Sequence, residues 1–236
     1  MKRYLHLLGS DLFNLIAPSL CPACDAPLAV SERLYCNACR SSLEPAPFPR
    51  DIFSEVAGNF PGDELALEAV GSLYRFDPDG PVQRLIHALK YHGCYRLGVE
   101  MGRELAVGLR MFRAFARIDL VVPVPLHKAR ERERGYNQAE AIAKGLAAAM
   151  PNVRMERALA RRRHTISQTT LGAGARRANV INLFRATGIS VKGRRILLCD
   201  DVCTTGATLN ACAEQLLVAG AAAVLAATVA KDGTPL

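Results

Sequence analysis

Two adjacent acidic residues, Asp200 and Asp201, lie where an apolar run meets a loop of small residues. The run 196–199 is apolar without alternation, which predicts a short buried strand. The loop 204–208 has the sequence Thr-Thr-Gly-Ala-Thr, and the apolar spacing after it predicts a helix that ends near Gly220. A strand, a tight turn and a helix N-terminus together form an anion site, because free backbone N–H groups converge there.

The chemistry that this arrangement favours is the binding of a sugar phosphate. Carboxylates hold sugar hydroxyls or a hard divalent cation, and the turn suits a phosphate. The sequence therefore predicts a site for a ribose 5-phosphate moiety, with Asp200 and Asp201 at the sugar. The predicted phosphate contacts are Thr204, Thr205, Gly206, Ala207 and Thr208. The chain lacks the Gly-x-x-x-x-Gly-Lys-[Ser/Thr] pattern of an NTPase P-loop. The alternative is a strand–loop–helix unit with an acidic surface turn.

A second anion-attracting segment, 127–138, follows the apolar stretch 119–125 and is rich in Arg and Glu. Its cationic side chains predict a loop that neutralises a diphosphate. The residues proposed for this role are Lys128, Arg132 and Arg134. The alternative is a surface loop in which the alternating charges compensate each other.

Strand and helix patterns alternate along the chain. Strands are predicted at 70–76, 119–125, 196–199 and 223–230, and helices at 82–93, 98–115 and 139–149. This alternation predicts an α/β fold with a doubly wound, mostly parallel sheet. Ligands of such sheets bind beyond the carboxyl ends of the strands, so both anion-attracting segments are expected on one edge.

Four of the eight cysteines form two Cys-x-x-Cys pairs separated by eleven residues. They are Cys21, Cys24, Cys36 and Cys39. This spacing predicts two knuckles around a structural Zn²⁺, with disulfides or free thiols as the alternative. Because the protein would fill all four positions, the metal would hold a fold and not catalyse. The remaining cysteines, Cys94, Cys199, Cys203 and Cys212, are expected to be small core residues.

The proline-rich stretch 43–49 predicts a linker, and a looser segment is expected as far as about Gly62. The chain is therefore predicted to contain an N-terminal unit at 1–49 and a larger unit at 50–236. At the N-terminus, leucines at three- and four-residue spacing predict an amphipathic helix and not a signal peptide. No apolar stretch approaches the roughly 20 residues of a membrane span, and a cytoplasmic location is expected.

The net charge of +8 is concentrated in one part of the chain. Segment 154–195 carries eleven Arg or Lys residues and one acid, Glu156. Such a segment predicts an anionic partner, either a polyphosphate substrate or nucleic acid, and the alternative is a solvated basic face. Within it, 161–177 predicts a flap that closes over a polyphosphate and excludes water. The flap residues singled out are Arg163, Thr165, Gln168 and Arg177.

Taken together, these motifs resemble the ComF family, which is named for a competence protein of bacterial DNA uptake. The matching elements are the four-cysteine unit, Leu-Ile-His-Ala-Leu-Lys-Tyr-His-Gly at 85–93, Val-Pro-Val-Pro-Leu-His at 122–127, Arg-Gly-Tyr-Asn-Gln at 134–138, the segment 163–180 and the loop 200–208. The resemblance implies a type I phosphoribosyltransferase fold with an N-terminal zinc ribbon. It also implies phosphoribosyl diphosphate with Mg²⁺ as ligand, and single-stranded DNA and a competence ATPase as partners.

Two functions from different classes follow. In the first, the chain is an enzyme in which Asp200 and Asp201 hold the ribose diol while an unidentified nitrogen acceptor attacks C1. In the second, it is a non-catalytic module of the competence machinery that binds single-stranded DNA or a partner. Aromatic residues make up only 6% of the chain and Trp is absent, so platforms for base stacking are expected to be sparse.

Overall fold

The computed structural model describes residues 19–32, 34–62, 64–161 and 183–233. The helices are α1 (Asn37–Ser41), α2 (Pro49–Gly58), α3 (Pro81–Tyr91), α4 (Tyr95–Leu109), α5 (Lys128–Arg134), α6 (Gln138–Ala149) and α7 (Ala207–Val218). The strands are β1 (Val70–Arg75), β2 (Leu120–Pro123), β3 (Arg154–Met155), β4 (Leu159–Arg161), β5 (Phe184–Ala186), β6 (Arg195–Cys203) and β7 (Ala223–Lys231). A short 3₁₀ turn follows α4.

Five strands form a parallel sheet in the order β1-β7-β6-β2-β3. Strands β4 and β5 form a separate antiparallel ribbon. All nine residues of β7 are buried, as expected for a strand that is covered on both faces. The predicted α/β architecture with a mostly parallel sheet is confirmed.

Successive side chains of β6 lie on opposite faces of the sheet and pack into two different hydrophobic cores. Leu197 and Cys199 belong to the core that α3, α4 and α6 cover. Ile196 and Leu198 belong to the core beneath α2 and α7. The continuous apolar run of β6 is therefore the signature of a strand with two buried faces.

Helices α4 and α6 approach each other so closely that two glycines are required. A Cβ atom on Gly145 would lie 1.9 Å from the carbonyl oxygen of Val99, and one on Gly102 would lie 2.0 Å from that of Ile142. Because the obstructing atoms belong to backbone, neither contact can be relieved by a change of rotamer. The two helices form a rigid layer over the sheet.

Two segments that were expected to be irregular contain helices. The looser segment expected before Gly62 contains helix α2, which begins at Pro49 because proline is compatible with the first turn of a helix. The basic loop is helix α5, capped by the side chain of His127, which accepts a hydrogen bond from the amide of Ala129. The N-terminal helix expected before residue 19 lies outside the described residues. Within the described part of the chain, no helix has the length and apolar character to cross a bilayer.

We expect Gly145→Ala to lower the free energy of unfolding by about 1–3 kcal/mol or more, because the added methyl group forces α4 and α6 apart. Urea denaturation measures the effect. The matched control is Gly108→Ala, also in a helix, where the nearest atom to the new Cβ is 4.0 Å away on Leu73. In that control, the free energy of unfolding is expected to rise by up to about 1 kcal/mol, because alanine has a higher helix propensity than glycine. Equal effects of the two substitutions would contradict the close approach.

Candidate functional site

The twin acids lie at the carboxyl end of the sheet, inside a strand. Pro123, the last residue of β2, pairs with Cys199, whereas β6 continues to Cys203. Asp200 and Asp201 therefore belong to β6 and not to the loop after it, which corrects the shorter strand predicted at 196–199. The reason is that β7 extends equally far and continues to pair with β6.

Asp201 is buried and forms an ion pair with helix α3. Its side chain is 8% exposed, and its Oδ2 atom lies 2.8 Å from Nζ of Lys90. Oδ2 accepts no hydrogen bond of regular geometry from the described residues, so the Lys90 charge is its main compensation. Oδ1 accepts a hydrogen bond from the amide of Val202 at 2.9 Å. A buried carboxylate held by one cation retains a lone pair for a ligand.

Asp200 keeps partial contact with solvent but is closely surrounded by protein. Burial raises its pKa well above the usual range, and the neighbouring charge of Asp201 raises it further. The amide of Asp201, 2.9 Å from Oδ1, and the more distant Lys90 act in the opposite direction. In the described structure no cation pairs with this carboxylate, so its ionised form is costly without a ligand.

The predicted phosphate turn connects β6 to α7. Gly206 caps the helix with φ of +82°, a left-handed conformation that favours glycine. The amide of Ala207 makes a long hydrogen bond of 3.4 Å to Oγ1 of Thr205. The amides of Gly206 and Thr208 donate no hydrogen bond to the described residues. Thr204, Ala207 and Thr208 are exposed, so donors and hydroxyls are available at the start of the helix.

Helix α2 supports this turn from outside the sheet. A Cβ atom on Gly206 would lie 2.6 Å from Cγ1 of Val56, and Nδ2 of Asn59 donates to the carbonyl of Thr205 at 3.3 Å. Beneath the turn, the buried Asn210 accepts from the amide of Ala66 at 2.7 Å. The segment before β1 thus fixes the turn, a role that its sequence did not reveal.

The predicted diphosphate segment is anchored by Asn137. This buried amide donates to the carbonyl of Val124 at 3.0 Å and caps α6 by accepting from the amide of Ala139. The anchor places α5 directly beyond the end of β2. The segment therefore lies at the same edge of the sheet as the twin acids.

The three predicted diphosphate ligands occupy different positions on α5. Lys128 lines a cleft of about 160 Å³ between α5, α6 and the β4 ribbon. Arg134 donates to Oε1 of Gln138 at 2.9 Å, and its guanidinium lies 5.2 Å from the ring centre of Tyr91. Arg132 is exposed. The structure thus brings the three residues to one edge but does not gather them around one point.

The flap predictions lie outside the described residues. Arg163, Thr165, Gln168 and Arg177 fall between Arg161 and residue 183, so their positions stay predictions. The described ends of this segment are β4 and β5, which form the antiparallel ribbon beside the cleft. Glu140 and Arg157 form an ion pair of 2.6 Å in the cleft wall.

Sequence reasoning did not select the end of α3 as part of the site. Lys90 reaches Asp201, Tyr91 contacts Arg134, and the hydroxyl of Tyr136 donates to the carbonyl of Leu89. These three contacts connect α3 with both anion-attracting segments. The signal available in the sequence was a lysine at the end of an amphipathic helix within a family-like motif, but only the fold shows its partner.

The four cysteines of the paired motifs form one cluster. Their sulfur atoms all lie within 4.8 Å of one another, and those of Cys24 and Cys36 are 3.6 Å apart. A tetrahedral zinc site with Zn–S bonds of about 2.3 Å requires sulfurs about 3.8 Å apart, whereas a disulfide needs about 2.05 Å. The amide of Cys36 donates to Sγ of Cys21 at 3.4 Å. Burial opposes ionisation of Cys21, but such amide donors outweigh it and lower its pKa to about 7.

The cysteine cluster packs against the same core as α3 and α4. Tyr35, next to the second Cys-x-x-Cys pair, donates to Oε2 of Glu104 at 2.7 Å and lies 2.9 Å from the hydroxyl of Tyr74. Arg40 forms an ion pair of 3.1 Å with the same glutamate. A shared polar network therefore joins the four-cysteine unit to β1 and α4.

We expect Asp200→Asn to stabilise the unliganded protein near neutral pH. Folding raises the pKa of Asp200, so the free energy of unfolding of the wild type falls as the pH rises from the pKa of the unfolded chain towards the raised pKa of the folded protein. Asparagine does not ionise and therefore causes no such fall. The advantage of the variant should shrink towards zero below about pH 3, where Asp200 is protonated in both the folded and the unfolded chain. Urea unfolding at several pH values measures it. Glu133→Gln, on the exposed surface of α5, is the control, and a pH-independent difference would contradict the assignment.

The sequence is similar to that of several known proteins. The family described as phosphoribosyl transferase domain matches residues 92–235. The DNA utilization protein YhgH of Salmonella typhi is 31% identical over 220 residues, which cover 89% of this chain and 96% of that protein. Competence protein F of Haemophilus influenzae is 27% identical, covering 88% of this chain and 87% of its own length. Competence protein ComFC of Bacillus subtilis is 34% identical over 106 residues, 44% of this chain and 40% of that protein.

The family match includes the twin acids, the turn before α7 and the segment around α5, and the long alignments extend the likeness into the four-cysteine unit. The chain belongs to the ComF family and carries a phosphoribosyl transferase domain.

Proposed function

We propose that this chain binds phosphoribosyl diphosphate with Mg²⁺ and transfers the phosphoribosyl group to a nitrogen acceptor, in a process linked to DNA uptake. The observation that carries the proposal is an incompletely compensated carboxylate pair directly before a turn with available amides. In this reading the 5-phosphate lies at Thr204–Thr208 and the ribose hydroxyls at the twin acids. Lys128, Arg132 and Arg134 neutralise the diphosphate, and the flap residues close over it.

The residues at this edge fit a substrate-bound magnesium ion. Asp200 and Asp201 offer hard oxygen atoms, which Mg²⁺ prefers, and Oδ2 of Asp201 accepts no regular hydrogen bond among the described residues. When bound there with the substrate, Mg²⁺ would supply positive charge that neutralises the leaving diphosphate. The protein's own part is to orient the ribose and to supply negative charge near C1.

The proposed reaction breaks the bond between C1 and the diphosphate oxygen, which keeps the electron pair. The acceptor nitrogen donates its lone pair to C1 and then loses a proton to solvent. Positive charge accumulates on the ribose ring as the first bond lengthens, and the carboxylates of Asp200 and Asp201 stabilise it. Cationic side chains on α5 stabilise the departing diphosphate.

The four-cysteine cluster fits a structural Zn²⁺. The sulfur separations match a tetrahedral site, and all four ligands come from the chain. Its thiolates require a reducing environment, which favours a cytoplasmic location. We assign the 1–49 unit to support of the larger unit, because its described residues pack in the same hydrophobic core as α3 and α4.

We expect Asp201→Asn to weaken the binding of phosphoribosyl diphosphate in the presence of Mg²⁺ by about 10- to 100-fold, because charge-assisted hydrogen bonds to the sugar hydroxyls are lost. Isothermal titration calorimetry measures the dissociation constant, and release of diphosphate with a panel of nitrogen acceptors measures turnover.

The control for this variant is Asp51→Asn, since Asp51 is exposed in the first turn of α2. Its binding constant is expected to equal that of the wild type. Absence of wild-type binding at millimolar ligand, or full binding by Asp201→Asn, would refute the proposed site.

We expect the purified wild type to contain about one zinc ion per chain, as a closed four-thiolate site binds one metal. Cys39→Ser removes one of the four ligands and is expected to lose most of the metal. Elemental analysis measures the content. Cys94→Ser, which changes a half-buried cysteine outside the cluster, should keep it. Equal metal content in the two variants would refute the assignment.

A further inference from the structure

Three rings crowd the surface at the carboxyl end of α3. The ring centres of His87 and Tyr91 are 4.6 Å apart, and those of His87 and His92 are 5.3 Å apart. All three residues are exposed. The guanidinium of Arg134 lies 5.2 Å from the centre of the Tyr91 ring. We call His87, Tyr91 and His92 the ring platform.

The exposure of Tyr91 is unusual among the aromatic residues that the structure describes. Among the Phe and Tyr residues that the structure describes, only Tyr91 and Phe48 are exposed, at 59% and 61%. Phe48 packs edge-to-face on Phe112 beyond the end of α4. That end of α4 lies at Gly71, near the beginning of β1 and so at the opposite edge of the sheet. Tyr91, in contrast, lies beside the candidate site.

The position of the platform is fixed by its neighbours. Lys90 is held by Asp201, and the carbonyl of Leu89 accepts from the hydroxyl of Tyr136. The chain just before Tyr91 is therefore held in place, and the Tyr91 ring lies against His87 and Arg134. Preordered rings lose little conformational entropy when a flat group stacks on them.

Stacking on rings beside cations is the way in which proteins hold nucleobases of single strands. Helix α5 carries Lys128, Arg130, Arg132 and Arg134, of which Arg134 lies beside the platform, and such charges neutralise strand phosphates. A stacked acceptor base is disfavoured, because a nucleophile approaches C1 opposite the leaving group and Arg134 belongs to the segment proposed for the diphosphate. The choice of a strand base over an acceptor base rests on the proposed function, whereas the observed contacts of the ring platform do not.

We infer that His87, Tyr91 and His92, flanked by Arg134, form a stacking site for a base of single-stranded nucleic acid. The strand phosphates lie along α5, and the base covers the free ring surface of Tyr91. The sequence expectation that stacking platforms are sparse holds for the composition, but the fold gathers three rings at one place.

The test uses a short oligothymidylate and an abasic strand of the same length, with binding followed by fluorescence anisotropy. Tyr91→Ala is expected to weaken binding of the oligothymidylate by about tenfold, because one stacked base is lost. Tyr91→Phe, which keeps the ring, should stay within about twofold of the wild type. The abasic strand should bind the wild type and Tyr91→Ala equally, since only its phosphates contribute.

The matched control is Phe48→Ala, which removes an equally exposed ring with a neighbouring arginine, Arg50, at 5.8 Å. It should bind the oligothymidylate as the wild type does. The inference is overturned if the wild type does not bind the strand, if Tyr91→Ala binds it unchanged, or if Phe48→Ala or the abasic strand shows the same loss. It is also overturned if Tyr91→Ala weakens the binding of free thymine but leaves the binding of the oligothymidylate unchanged. Titration of the wild type with phosphoribosyl diphosphate decides the proposed function separately.

Discussion

The ion pair between Lys90 and Asp201 joins the parts of the candidate site. A buried carboxylate without a cation is strongly destabilising, so the end of α3 must lie where β6 ends. Because Lys90 is held there, the next residue, Tyr91, emerges beside Arg134 of α5. One electrostatic requirement thus determines where the acid pair, the basic helix and the exposed rings meet.

The surrounding structure keeps this edge in place through buried amides and close backbone packing. Asn137 connects the end of β2 to α6, and Asn210 connects α7 to the segment before β1. Helix α2 presses Val56 against Gly206 at the turn. Each of these contacts satisfies a buried polar group or fills space at an otherwise open loop. The site is therefore supported by chain segments that are far apart in sequence.

The charge distribution around the edge is uneven in a way that suits a polyanionic partner. The acid pair is half-enclosed in the sheet, while cations extend outward from α5 and the β4 ribbon. The two proposed ligands would share the cations of α5, whereas the turn and the acids would serve only the small metabolite and the exposed rings only the nucleic acid strand.

The sequence by itself determined the α/β class, the parallel sheet, the four-cysteine cluster and the family, because apolar runs, Cys-x-x-Cys spacing and the turn before α7 are local patterns. It placed Asp200 and Asp201 at the correct edge of the sheet. It predicted too short a strand for β6, because the length of a strand depends on the neighbour with which it pairs. It missed α2 because nearby prolines masked a helix start. Only the tertiary structure decided that Lys90 meets Asp201 and that Tyr91 is left exposed beside Arg134. These are contacts between residues 43 or more positions apart, and their energies depend on burial and on charge separation, which no local pattern encodes.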